Sequence, residues 1–164
     1  MSNDLRIVSP TRNDIPIILS LFRELAVYEK LEEIFIVDEA TLTESLFGPR
    51  PSAEVRLAFK GDTPVGYMVF FENFSTFLGR SGIYLEDLFV KPEFRGSGYG
   101  KALLSKLAAI AVERGCKRLE WMVLNWNTPA IDFYKSIRAE PMDGWTTFRL
   151  TGNALKSLAE HGGS

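Results

Sequence analysis

The 164-residue chain has a single cysteine and a single histidine. Cys116 cannot close an internal disulfide, so a disulfide-stapled scaffold is excluded and a reducing, cytoplasmic setting is expected. A structural zinc site wants about four Cys or His ligands, so no metal is expected. A Ser-His-Asp or Cys-His device would have to draw on His161, close to the C-terminal end. No apolar run approaches the roughly 18–20 residues that a membrane span needs. Met1-Ser2-Asn3-Asp4 lacks a basic region followed by an apolar stretch, so no secretory signal is expected. A basic excess is missing too. Lys and Arg number 19 against 21 Asp and Glu, a net charge of −2, and a nucleic-acid partner is not expected.

What is present is the composition of a globular chain. Hydrophobic residues make up 46% and charged residues 24%, which argues against disorder. No repeat or long linker divides the sequence, and one domain over residues 5–164 is expected.

Residues 6–8 are apolar enough for a first strand. Thr11 or Asn13-Asp14 can cap a helix with Pro16 in its first turn, and Ile18, Leu19, Phe22, Leu25 and Ala26 recur at helical spacing. A second helix is predicted after Asp38, ending near Gly48-Pro49-Arg50-Pro51. Val55, Leu57 and Phe59 alternate with polar residues in a half-buried strand, and Gly61-Asp62-Thr63-Pro64 turns the chain. Residues 65–71 and 83–90 read as central strands, the latter carrying Glu86 and Asp87. Leu103, Leu104, Leu107, Ala108 and Ala111 predict a helix over 98–114 with Gly115 as its cap. A strand over 119–124, a helix capped by Thr128 with Pro129 first, a strand over 145–150 and a helix over 154–160 complete the order. The run of strands in the middle argues an α+β fold, with a largely antiparallel sheet extended by a strand–helix–strand unit.

The most informative stretch is Phe89-Val90-Lys91-Pro92-Glu93-Phe94-Arg95-Gly96-Ser97-Gly98-Tyr99-Gly100-Lys101. A strand ends, three alternating glycines follow, and a helix begins. Glycines let successive N–H groups turn toward one point, and a helix N-terminus adds aligned donors. With Arg95 and Lys101 nearby, the loop suits a phosphate or pyrophosphate. A Walker A loop is excluded, because Gly100-Lys101 is followed by Ala102 and Arg95 stands where its first glycine belongs. A dinucleotide fingerprint fails at Lys101, where the third glycine should fall.

The remaining pattern, Arg95-x-x-Gly98-x-Gly100, resembles the R/Q-x-x-G-x-G/A signature of the GNAT superfamily of acyltransferases. The helix of Asn127-Thr128-Pro129-Ala130-Ile131-Asp132-Phe133-Tyr134 resembles the late asparagine and Phe-Tyr helix of that superfamily. Several segments look like the diamine (spermidine/spermine) acetyltransferases: Glu24-Leu25-Ala26-Val27-Tyr28-Glu29-Lys30-Leu31-Glu32-Glu33, Tyr84-Leu85-Glu86-Asp87, Trp126-Asn127 with Phe133-Tyr134-Lys135, and Gly144-Trp145. The resemblance covers roughly residues 5–150. It implies a GNAT fold with flanking helices, splayed between the strands near 84–90 and 119–124, and acetyl-CoA as co-substrate. It further implies that the backbone of Leu88, Phe89 and Val90 pairs with the pantetheine arm. Arg95, Gly96, Ser97, Gly98, Tyr99, Gly100 and Lys101 would hold the pyrophosphate. Asn127, Pro129 and Ala130 would contact the coenzyme, and Tyr134 would sit beside the thioester sulfur. A homodimer is implied by the resemblance alone.

The chemistry suits these roles. An alkyl amine with a pKa of about 10.4 is neutral in roughly one molecule per thousand near pH 7.4, so a base is needed. Glu86 is the candidate base and Tyr134 the candidate donor to the departing thiolate. Glu29, Phe77, Glu86, Asp87 and Trp145 are the candidate amine-binding residues, since carboxylates and aromatic faces both attract an ammonium chain. Core or capping roles remain open for Tyr134, Asn127 and one of the two adjacent acids.

Three departures from the diamine pattern bear on the substrate. Ser75 stands where an acid is expected, Thr146 where a base is expected, and Arg138 where the Phe-Tyr helix usually ends in glycine. The segment around Ser75 looks more like the thialysine-acetylating branch. The expected activity is N-acetylation of a small cationic amine: a polyamine, a diamine or a lysine-like amino acid. A protein or peptide acetyltransferase and a non-catalytic coenzyme-A-binding domain are the alternatives.

Overall fold

Thr11 and Asp14 open the first helix from its preceding turn, the Thr11 backbone N–H donating to the Asp14 carboxylate at 2.7 Å. With Pro16 in the first turn, helix α1 then runs Ile15–Glu29. Its Ile15, Ile18, Leu19 and Leu21 are buried at the helical spacing seen in the sequence. Lys30 ends it in the left-handed conformation (φ 59°), and the Leu31 N–H returns to the Ala26 carbonyl. Asp38 caps helix α2, Glu39–Phe47, by accepting from the Thr41 N–H. These observations come from a computed structural model that describes residues 4–162.

Five strands form one sheet in sequential order: β1 Leu5–Val8, β2 Glu54–Lys60, β3 Thr63–Ser75, β4 Arg80–Val90 and β5 Leu119–Trp121. The first three pairings are antiparallel and β4 with β5 is parallel. The fold is α+β with a mixed, mostly antiparallel open sheet, as expected. Val55, Leu57, Phe59, Tyr67, Val69 and Phe89 bury one face of the sheet against α1 and α2. Helix α3, Tyr99–Glu113, buries Leu103, Leu104, Leu107, Ile110 and Ala111. Past its C-terminus, Arg114 reaches Glu54 at 2.7 Å and Glu72 at 3.1 Å, which ties that end to β2 and β3.

Gly66 permits the close packing of β3 and β4, since a Cβ there would lie 2.4 Å from the Phe89 carbonyl oxygen. The hairpin of β3 and β4 is longer at its tip than the predicted 65–71 and 83–90. Its outer part, Phe71 to Ser75, is held by cross-strand pairing with residues 80–84, which the mixed polar pattern there conceals.

Residues up to Met122 and those from Val123 form two compact units. The second contains helix α4, Thr128–Ser136, and helix α5, Gly152–His161. Three expectations need correction. The strand predicted over 119–124 stops at Trp121. Asn127 caps α4 in place of Thr128, its side-chain oxygen accepting from the Ala130 N–H. Residues 145–150 form no strand, because their alternation finds no described partner to pair with. No described helix is long and apolar enough to cross a membrane.

Candidate active site

The site begins with a break in strand register. Val69 pairs with Asp87 and Phe70 pairs with Leu85, so Glu86 is an extra residue on β4, a β-bulge. Adjacent residues of β3 point to opposite faces. Their partners Leu85 and Asp87 therefore face opposite sides, although two residues apart they would normally share one. Asp87 is thereby turned to the face that carries Val69, Tyr67 and Phe89, under α1. Glu86 is left exposed.

This placement alters the chemistry of Asp87. Burial pushes its carboxyl up to about 6, and the negative charges of Glu86 and Glu29 push the same way; the Tyr67 hydroxyl works against them. Glu29, in the last turn of α1, is itself raised by burial. The Tyr67 hydroxyl is fully buried with no hydrogen bond of ordinary geometry, and burial, then Asp87 and Glu29, hold its pKa well above that of a free phenol. Glu29 and Glu86 thus both act electrostatically on Asp87. Among the described residues no three acidic, histidine or cysteine side chains cluster closely enough to hold a metal ion. The arrangement suits an ammonium better, because a cation relieves the repulsion and a half-buried carboxyl with a raised pKa can take its proton.

The end of β4 leads into the glycine loop. Pairing with β5 ends at Leu85 and Trp121, so the edge of β4 beyond it has no β5 partner. The register with β3 turns the backbone groups of Leu88 and the N–H of Val90 to that open edge and those of Phe89 to β3. Gly96 and Gly98 take φ of +80° and +81°, which side-chain-bearing residues rarely adopt. The first-turn N–H groups of α3 at Tyr99, Gly100 and Lys101 have no carbonyl partners within the helix. Lys101 and Ser97 are exposed and Tyr99 is buried. A Cβ at Gly100 would lie 3.8 Å from the Leu88 side chain, which sets the start of α3 against β4. These features fit a pyrophosphate with an extended arm along β4. Arg95 departs from the expected picture. Its Nε donates to the Val90 carbonyl at 2.9 Å, and its guanidinium lies over the Tyr28 ring, 4.2 Å from the centroid.

A family model matches residues 23–137, that of the acetyltransferase (GNAT) family. The chain belongs to the GNAT acetyltransferase family. Its members use acetyl-CoA as acetyl donor, and the enzyme is an acyltransferase. The thialysine N-epsilon-acetyltransferase of Bos taurus is 41% identical over 87% of this chain and 89% of its own length. The L-ornithine N5-acetyltransferase of Arabidopsis thaliana is 30% identical over 96% of this chain and 88% of its own. An integron cassette protein from the mobile metagenome of V. cholerae shares the fold with a TM-score of 0.81 and 28% identity, over 96% of this chain and 98% of its own.

Within this GNAT enzyme the sequence-predicted residues divide into groups. Glu29 and Glu86 lie within electrostatic reach of Asp87, and Leu88 to Lys101 run from β4 into α3. Phe77 does not join the acids. It is 98% exposed at the tip of the β3–β4 hairpin, on the order of 20 Å or more from Asp87 at a strand's rise per residue. Ser75 is buried and its hydroxyl accepts from the Leu78 N–H, so its departure from the diamine pattern concerns the hairpin turn. In the second unit, Tyr134 follows Phe133 on α4 and burial raises its pKa, which keeps the phenol protonated. Trp145 is exposed outside any regular element. Sequence reasoning missed the bulge, whose only trace was two adjacent acids in an apolar strand. It also missed a cleft of about 640 Å³ beside α1, lined by Glu24, Tyr28, Phe89 and Pro92 among others.

Proposed function

We propose that the enzyme acetylates the side-chain amine of a small, lysine-like amino acid, with the thialysine and ornithine enzymes as guides to its substrate class. The observation that carries the proposal is the acidic group of Glu29, Glu86 and Asp87 beside the open edge of β4. Glu29 and Glu86 hold the ammonium by charge. Asp87, turned inward by the bulge, takes the proton, and the neutral nitrogen attacks the acetyl carbonyl directly. A carboxyl near 6 is a better base toward an amine than one near 4, yet is still ionised at neutral pH. A backbone N–H near Phe89, on the open edge of β4, stabilises the oxyanion. The carbon–sulfur bond breaks as the amide forms, and Tyr134 donates its proton to the departing thiolate. Gly96, Gly98 and the first turn of α3 hold the pyrophosphate, with Lys101 adding charge.

A homodimeric state and a cytoplasmic setting belong to the same proposal. The single cysteine suits a reducing compartment.

The test is thiol release from acetyl-CoA against thialysine, lysine, ornithine, spermidine, spermine, short diamines and peptides. The proposal expects the highest kcat/KM for amino acids with a side-chain amine. A clear preference for spermidine or spermine would move the assignment to polyamines. Turnover of peptides alone would defeat it.

A further inference from the structure

We infer that Tyr28 is a positioning residue whose ring seats Arg95 and so couples the coenzyme loop to the amine-binding end of α1. The inference rests on the proposed roles of the glycine loop and of Glu29.

Two contacts join α1 to the turn that enters the glycine loop. Glu24 pairs with the Lys91 ammonium at 3.1 Å, and the Tyr28 ring lies 4.2 Å below the Arg95 guanidinium. Residues 24 and 28 are one helical turn apart on α1 and share a face. Residues 91 and 95 flank the short helical turn Pro92–Phe94. The last turns of α1 are therefore pinned to this turn at both of its ends. Both partners from α1, with Phe89 and Pro92, also line the cleft beside the helix.

Arg95 is unusually constrained for an exposed residue. Its Nε–H is committed to the Val90 carbonyl at 2.9 Å, and its guanidinium also lies 5.7 Å from the Phe89 ring. A planar guanidinium can donate along its edge and stack on its face at once, which a lysine ammonium cannot. Gly96 follows Arg95 directly, so the seat fixes where the loop starts. Glu29 follows Tyr28 directly, and α1 then ends at Lys30 in the left-handed conformation. Ordering the loop around a coenzyme thus orders Tyr28, and through one rigid turn it orders Glu29. By linkage, an amine bound at Glu29 tightens coenzyme binding by the same factor.

The test is calorimetric titration of coenzyme A into the wild type, Tyr28→Phe and Tyr28→Leu, each with and without a saturating acceptor amine. Tyr28→Gln is a second ring-less variant, and melting temperatures verify that each protein is folded. The wild type and Tyr28→Phe are expected to bind coenzyme A about 5-fold or more tightly when the amine is present. In Tyr28→Leu and Tyr28→Gln that ratio falls to near one, and KM for both substrates rises more than kcat falls. An unchanged ratio in the ring-less variants, beside normal wild-type binding and turnover, overturns the coupling alone. Loss of the ratio in Tyr28→Phe as well overturns the role of the ring. A wild type that does not bind coenzyme A removes the functional reading, and the coupling with it.

Discussion

Leu85 and Asp87 stand two residues apart on β4 yet face opposite sides of the sheet, because Glu86 is inserted between their pairings with Phe70 and Val69. A regular strand would have placed Asp87 on the α3 side with Leu85. The bulge brings it to the α1 side, where burial, then the charges of Glu86 and Glu29, raise its pKa against the opposing Tyr67 hydroxyl. A one-residue irregularity thus splits an acidic pair in an apolar strand into an exposed carboxyl and an inward-facing one with a raised pKa.

The first prediction concerns the pH dependence of turnover. If Asp87 is the base, kcat/KM climbs as pH rises through about 6, because the carboxylate must be ionised to accept the proton. Asp87→Asn should abolish this limb and lower kcat by about 100-fold or more. Glu86→Gln should retain the limb and mainly raise KM for the amine. A limb that vanishes in Glu86→Gln and persists in Asp87→Asn would return the role of base to Glu86.

The same carboxyl lowers stability. Its pKa is near 3.8 unfolded and about 6 folded, so folding disfavours the charged form. Below about pH 4 both states are protonated and no cost arises. As pH rises through 6 the cost becomes complete, on the order of 1–3 kcal/mol from 1.36 kcal/mol per pKa unit. Asp87→Asn should therefore melt at a higher temperature than the wild type at pH 8 and at nearly the same temperature at pH 4. Equal melting temperatures at pH 8 would show that the site does not strain this carboxylate.

Helical periodicity located α1 and α3 because each buries one stripe, and that stripe is written into consecutive residues. Strand limits were less legible. The outer hairpin, Phe71 to Ser75 with residues 80–84, is held by cross-strand pairing, and residues 145–150 carry a strand's alternation without a described partner. The glycine loop was readable as a motif because its conformational demands are local. The bulge at Glu86 was not, since register belongs to two strands at once. The direction of the Arg95 side chain depends on Tyr28, far away in sequence, and no local pattern encodes such a contact.

Gly98 precedes α3 at φ +81°, and a Cβ there would meet no atom within 4 Å. The penalty of a side chain is therefore conformational, of order 1–2 kcal/mol for the left-handed region. Gly98→Ala should fold with a slightly lower melting temperature. If the loop holds the pyrophosphate, coenzyme affinity should fall by about 10-fold or more, measured by calorimetry. Wild-type affinity in this variant would remove the loop from the coenzyme site.

Arg138 ends α4 at φ 65°, while the Ala139 N–H returns to the Tyr134 carbonyl at 3.0 Å. This is the closing turn that glycine normally supplies. Arg138→Gly should stabilise the protein by about 1 kcal/mol, visible as an upward shift in melting temperature, with little change in kcat. A lower melting temperature would mean that the arginine side chain makes a contact worth more than the strain.

Tyr134 lies on α4, where burial raises its pKa. A raised pKa keeps the phenol protonated at working pH, which a proton donor requires. It also makes the phenol a weaker acid, so the gain comes only as negative charge grows on the leaving sulfur. Removing the hydroxyl should therefore affect the transition state more than the ground state. Tyr134→Phe is expected to lower kcat by about 100-fold while the Kd for coenzyme A stays within about 2-fold. An acetyl donor with a more acidic leaving thiol should recover part of that loss, because it needs the proton less. A Tyr134→Phe enzyme with wild-type kcat, or one equally slow with every leaving group, would remove Tyr134 from proton transfer.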